Sequence, residues 1–161
     1  MTNPYRGNTG LGTYFITGST YQKKSLFQSE AMSSLFLEVL VHYRSQQKYL
    51  LHEFVIMPNH FHLLVSPRVT LERAMQFIKG GFSYRAKREL GFGGEVSEHS
   101  FYDHRVRDVQ EYQRIRQYIH QNPIKRGLVQ YAEMYPYSSA CGAIPLDEVP
   151  QRLKPPCVAA L

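Results

Sequence analysis

Two apolar runs that meet at Pro58-Asn59 constrain this chain more than any other feature. The first spans Tyr49 to Met57. The second, starting at His60, closes on Ser66-Pro67. Strand-forming residues on both sides of a Pro-Asn break predict two antiparallel strands joined by a tight turn. Side chains alternate across a strand, so Phe61, Leu63 and Val65 share one face while His60 and His62 project from the other. Two neighbouring imidazoles on a stiff strand can grip one metal ion if both are neutral. The plainer alternative is a half-buried pair that only hydrogen-bonds.

Helical and extended patterns alternate around this hairpin. Thr13 to Thr20 has the aromatic and β-branched content of a first strand. From Ser29 to Ser45, Met32, Leu35, Phe36, Val39, Leu40 and Tyr43 recur at helical spacing, with Ser29 as N-cap. Thr70 caps a second helix running to about Leu90. Its later turns carry Lys79, Arg85, Lys87 and Arg88 around Gly80-Gly81, which reads either as a solvated face with a flexible kink or as a phosphate-contacting surface. Phe101-Tyr102 suits a short strand. Asp108 and Glu111 resemble a capping box opening a third helix. Pro123 disfavours helical geometry at the residue before it, which predicts a helix end near Asn122.

A chain of 161 residues with 43% apolar and 20% charged residues fits one globular domain. We expect that domain to span residues 1–140 and residues 141–161 to form a loosely ordered tail rich in proline. The Gly-, Asn- and Thr-rich start, with Tyr5 and Arg6, reads as a loose arm able to touch phosphate or bases. The net charge of +6 favours a polyanionic partner. The two cysteines lack metal-ligand spacing, and neither a leader nor a membrane span is evident, so a cytoplasmic protein is expected.

The third helix carries Tyr118-Ile119-His120-Gln121-Asn122-Pro123. Residues four apart lie over one another, so Tyr118 and Asn122 share a face, offset from the Val109, Tyr112, Ile115 and Ile119 stripe. That offset predicts a phenol and an amide at the helix edge, where the Asn122 carbonyl oxygen can complete a metal site begun by His60 and His62. A metal-held phosphodiester is open to in-line attack, and a deprotonated phenol is a fitting nucleophile. The alternative is an ordinary Tyr and Asn at a helix end. Glu53 reads as an exposed strand carboxylate or a support behind the histidines, and His99, His104 and His120 as surface or supporting residues.

Met-Pro-Asn-His-Phe-His-Leu-Leu at 57–64 and Tyr-Ile-His-Gln-Asn-Pro-Ile-Lys-Arg-Gly-Leu-Val at 118–129 resemble the two signature blocks of the HUH single-tyrosine transposases. The closer resemblance is to the branch associated with repetitive extragenic palindromes (REP). Tyr14-Phe15-Ile16-Thr17, Phe101 to Asp108 and Tyr135-Pro136-Tyr137-Ser138-Ser139 extend the similarity to residues 13–140. A Trp that many relatives carry near Val96-Ser97-Glu98 is missing.

This resemblance implies an α+β fold: an antiparallel sheet in the ferredoxin-like HUH arrangement, with helices packed on it and the catalytic Tyr on a late helix. It implies a divalent metal, magnesium or manganese, held by His60, His62 and Asn122. Tyr118 becomes the nucleophile that leaves a 5′-phosphotyrosine and a free 3′-hydroxyl. The expected partner is single-stranded, hairpin-forming DNA, bound by a monomer or homodimer through Arg6, Lys79, Arg85, Arg105, Arg107, Arg114, Lys125 and Arg126. Two other readings compete: a non-catalytic hairpin DNA- or RNA-binding protein, and a metal hydrolase that uses water.

Overall fold

A computed structural model describes residues 12–156. Seven main elements follow one another: β1 (Tyr14–Ser19), α1 (Glu30–Ser45), β2 (Tyr49–Met57), β3 (His60–Pro67), α2 (Leu71–Leu90), β4 (Tyr102–Arg105) and α3 (Val109–Lys125). The strands form one sheet in the order β2-β3-β1-β4, and every pairing is antiparallel. The first six elements give the expected ferredoxin-like β-α-β-β-α-β arrangement. Among the described residues no helix is long and apolar enough to cross a membrane.

Local chemistry starts the helices where the sequence indicates. The side chains of Ser29, Thr70 and Asp108 accept hydrogen bonds from the backbone N–H of Met32, Arg73 and Glu111. The Glu111 carboxylate reaches back to the Arg107 N–H, so the capping box closes one residue early.

Helices α1 and α2 cover one face of the sheet over an aromatic cluster. Phe36 lies 4.7 Å from Phe61 and 5.1 Å from both Phe27 and Phe82, centroid to centroid. Phe61 is only 2% exposed. A Cβ at Gly18 on the paired strand would fall 2.1 Å from its ring, so only glycine leaves room for it. The Gly80-Gly81 pair makes no kink. Helix α2 runs through it unbroken, and a Cβ at Gly81 would meet the Tyr43 ring of α1 at 2.7 Å, so the residue permits close helix packing.

The other face carries α3, with Val55, Met57, Leu64, Val106, Tyr112, Ile119 and Leu153 between them. A bulge sets its chemistry. Leu51 pairs with Val65 but Glu53 pairs with Leu64, leaving His52 extra, which moves the odd-numbered residues of β2 from the α1/α2 face to the α3 face.

Two expectations fail here. Helix α3 does not end near Asn122 but continues through Pro123 to Lys125. Pro123 lies in the last turn, where its missing N–H deprives only one carbonyl. The helix stops at Gly127, φ +71°, with Leu128 N–H donating to the Pro123 carbonyl and Gly127 N–H to that of Ile124.

Nor is the stretch from residue 141 to 156 loose. Leu153 is fully buried, and Asp147 accepts from the Leu51 N–H at 2.8 Å and forms a two-pronged ion pair with Arg44 at 2.9 and 3.0 Å. The Asp147 N–H also donates to the Leu51 carbonyl, so this segment occupies hydrogen-bonding groups that an edge strand would otherwise expose.

Candidate active site

Strand β3 points His60 and His62 toward α3, as alternation requires, and the β1–β3 register sets Thr17 opposite His62. The Thr17 hydroxyl lies 2.8 Å from His62 Nδ1, and Asn59 Oδ1 lies 2.7 Å from His60 Nδ1. With an amide oxygen as acceptor, His60 Nδ1 carries the proton and Nε2 is left with its lone pair. The Thr17 contact allows the same tautomer at His62. Burial, then the charges of His60 and Arg126, push the His62 pKa down to about 3. Burial and the charges of Arg126 and Lys23 also lower that of His60, outweighing the opposite pull of nearby Asn122. Both imidazoles are held in the neutral form that metal ligation needs.

Helix α3 completes the site. Tyr118 is 45% exposed, and its ring stands 5.2 Å from the His62 ring and 6.0 Å from that of Phe15, edge-on to the latter. Phe15 in turn stacks on His62 at 5.3 Å. Asn122 is buried, at 5% exposure, and does not sit at the helix edge as its spacing suggested. Its Oδ1 and the Nε2 of His62 are both buried without a hydrogen-bond partner. A buried polar atom without a partner costs roughly 1–3 kcal/mol, and both of these atoms are of a kind that can ligate a metal. Among the described residues no group of three or more His, Cys, Asp and Glu side chains is placed to hold a metal ion. The candidate set takes its third donor from an amide.

The expected phosphate contacts separate into two groups. Arg114 and Lys125 lie one turn before and two turns after Tyr118 along the exposed side of α3, and Arg126 is close enough for its charge to act on both histidines. Arg105 is exposed on the edge strand β4, and Arg107 lies in the loop before α3. Lys79 and Arg85 belong to the opposite layer and are engaged elsewhere. Lys79 donates to the Glu98 and Ser100 carbonyls, and Arg85 pairs with Glu38 and Glu89. Arg6 lies outside the described residues.

Of the two readings of Glu53, the structure favours the supporting one, although it lies behind α3. Glu53 is a buried carboxylate bonded to Arg116 at 2.8 Å, His120 at 2.9 Å and the Ser139 hydroxyl. Burial raises its pKa, but the hydrogen bonds from His120 and Ser139 and the charges of His120 and Arg116 outweigh burial and hold it low. The bulge at His52 turns this carboxylate to the α3 face. His52 is also buried, 3.1 Å from the Asp147 carbonyl and 2.8 Å from the Ser66 hydroxyl. His104 bonds Glu111, and of Tyr84, Tyr102, Tyr112 and Tyr131 only Tyr112 is core, whereas the other three are exposed. A cleft of about 570 Å³ between α2 and residues 95–101 is remote from the histidines; Lys79 and Phe101 line it.

A family model described as "Transposase IS200 like" matches residues 11–122. No curated protein matches the sequence. A solved REP-associated tyrosine transposase bound to a REP hairpin superposes with a TM-score of 0.70 at 20% identity, over 96% of this chain and 94% of that one. A protein of Deinococcus radiodurans described as a candidate transposase superposes with a TM-score of 0.51 at 22% identity, over 74% of this chain and 95% of that one.

Proposed function

This chain belongs to the family of IS200-like transposases, and we propose that it cuts and rejoins single-stranded, hairpin-forming DNA through Tyr118, as a member of the REP-associated branch. One observation carries the reading: among the described residues, two of the three buried side-chain atoms that lack partners, His62 Nε2 and Asn122 Oδ1, belong to the residues expected to bind a metal.

A divalent cation held by His60, His62 and Asn122 would withdraw charge from a non-bridging phosphate oxygen. The chain's own groups do the rest. Thr17 and Asn59 fix the ring orientation of the histidines. Phe15 and His62 pack against the Tyr118 ring, which stays 45% exposed and so open to a substrate. The Tyr118 oxygen gives up its proton and bonds to phosphorus, and the bond to the 3′ oxygen breaks in line. That oxygen takes a proton and leaves as a 3′-hydroxyl, while the 5′ end stays on the protein as a phosphotyrosine. Attack by a second 3′-hydroxyl reverses the step and joins strands, because the ester energy has been kept. Arg114, Lys125 and Arg126 neutralise the incoming backbone. Two imidazoles and one amide form a donor set better suited to manganese than to magnesium, which prefers all-oxygen shells, so manganese should act at lower concentration.

The test uses single-stranded oligonucleotides from inverted repeats flanking this protein's gene, incubated with protein and manganese or magnesium and run on a denaturing gel. We expect a slow, denaturation-resistant band that needs metal and is lost in Tyr118→Phe, with hairpin affinity kept within a few-fold. Equal cleavage by both proteins would remove the tyrosine mechanism, and tight hairpin binding without adduct would favour the non-catalytic reading.

A further inference from the structure

A strained turn stands directly beside the histidines. Gln22 and Lys23 both adopt left-handed backbone geometry, each with φ of +53°, and neither is glycine. Conformations of this kind cost about 1–3 kcal/mol each and persist only where neighbouring structure dictates them. Here it does so from two sides.

On one side, Thr20 ties the turn to the Pro58-Asn59 corner that launches His60. Its N–H donates to the Asn59 carbonyl at 3.0 Å, and its hydroxyl lies 2.9 Å from that carbonyl and 2.6 Å from that of Lys24. Phe27 N–H adds a bond to the Pro58 carbonyl at 2.9 Å. On the other side, the Glu98 carboxylate accepts from the Gln22 N–H at 2.7 Å, and Tyr21 N–H donates to the Val96 carbonyl. The loop carrying Glu98 is itself held by Lys79. The turn thus fixes where Lys23 begins. Its side chain is exposed, has no acidic partner among the described residues, and starts three residues from Thr20, which is bonded to the residue preceding His60. Arg126, at the end of α3, lies one turn beyond Asn122, with its N–H bonded to the Asn122 carbonyl.

We propose that Lys23 is a substrate-positioning residue: its ammonium binds a backbone phosphate of the single strand next to the cleaved bond, opposite Arg126, across the His60/His62 site. The inference rests on the strand-transfer reading. Lysine suits the task because it acts as a mobile point charge that follows the phosphate, whereas the rigid turn limits where it can reach. The two neighbouring strained residues have a use under this assignment, since relaxing either would swing the ammonium off the His60 corner.

The experiment follows adduct formation by full-length protein with manganese and a hairpin oligonucleotide at sub-saturating concentration. Lys23→Met should slow adduct formation about tenfold and lower the slope of log affinity against log salt by about 0.7, the share of one single-strand phosphate. Lys23→Arg should stay within about threefold of the parent. Lys24→Met removes the same charge one residue away and should change neither quantity. Placing neutral methylphosphonates one at a time around the cleavage position should then reveal one phosphate whose neutralisation slows the parent about tenfold but slows Lys23→Met no further. Equal rates for Lys23→Met and the parent, equal losses in Lys23→Met and Lys24→Met, or additive effects at every phosphate would each overturn the assignment. A parent protein that forms no adduct with either metal defeats the strand-transfer reading itself, a result distinct from all of these.

Discussion

The two faces of the sheet are built from the same strands yet bury different chemistry. Toward α1 and α2, the buried residues on the sheet are apolar, Ile16, Phe54, Ile56, Phe61, Leu63 and Val65, and they meet the rings of Phe27, Phe36 and Phe82. Toward α3, an apolar patch around Leu64 and Ile119 shares its space with buried Glu53, His62 and Asn122. The first face is closed by apolar packing, with the Tyr14 hydroxyl as its one buried group without a partner among the described residues. The second leaves two polar atoms unpaired and keeps one phenol half in water. The fold's stability is concentrated on the first face, which frees the second to carry groups that are costly until a substrate or metal arrives.

The largest test of that division is a pair of substitutions. Phe61→Ala removes a ring from a dense cluster and should cost about 3–5 kcal/mol, read as a lower urea midpoint with unchanged slope. Asn122→Leu deletes an unpaired buried acceptor in exchange for apolar volume, so stability should stay within about 1 kcal/mol of the parent while the DNA adduct disappears. If Asn122→Leu proves as destabilising as Phe61→Ala, the division between the two faces is wrong.

Glu53 sharpens the comparison, because it is the buried carboxylate by which the middle of α3 is held on the sheet. Glu53→Ala strands Arg116 and His120, but Arg116 is 48% exposed and regains water. We expect a loss of about 2 kcal/mol, smaller than for Phe61→Ala. Adduct formation should fall further than stability does, since a loosened α3 displaces Tyr118 and Asn122 together. Unchanged adduct formation in a stably folded Glu53→Ala protein would show that Glu53 serves the fold alone.

A smaller effect concerns the segment after residue 141. Burial pushes the Asp147 carboxyl up, but hydrogen bonds from Arg44 and the Leu51 N–H, with the Arg44 and His52 charges, outweigh it and hold the pKa below the ordinary 3.8. A depressed carboxylate stabilises the folded state above its unfolded pKa, and that contribution fades as pH falls through the folded value. Stability of the parent should therefore decline as pH falls below about 4 more steeply than that of Asp147→Asn, which has already lost the ion pair. Parallel pH profiles would mean that the docked segment does not depend on Asp147.

Local chemistry made much of this legible in the sequence. The caps at Ser29, Thr70 and Asp108, the turn at Pro58-Asn59 and the alternation of Phe61 against His62 each depend on neighbours a few residues away. Tyr118 and Asn122 share a face for the same reason, although the depth of Asn122 does not follow from spacing; it depends on what α3 packs against. The bulge at His52 stayed hidden because a bulge is defined by the partner strand, and with it the facing of Glu53. Asp147 meets Arg44 across more than a hundred residues, and no periodicity signals that. Pro123 was overweighted as a stop because the local rule says nothing of position within a helix, while Lys125-Arg126-Gly127 carried the true signal.

The smallest expected effect returns to the strained turn at the edge between the two faces. Gln22 holds φ of +53° with its N–H bonded to Glu98. Glycine adopts that geometry without a Cβ clash and keeps the same N–H, so Gln22→Gly relieves strain while adding freedom to the unfolded chain. The two effects oppose each other, and a net gain of about 0.5 kcal/mol in unfolding free energy is expected. Adduct formation should fall a few-fold in the same protein, because a glycine beside Lys23 lets the turn sample other geometries. A gain in stability without loss of activity would show that the left-handed pair is a by-product of how β1 connects to α1. A small gain paired with a loss of activity would show that strain is retained here to aim a charge at the DNA.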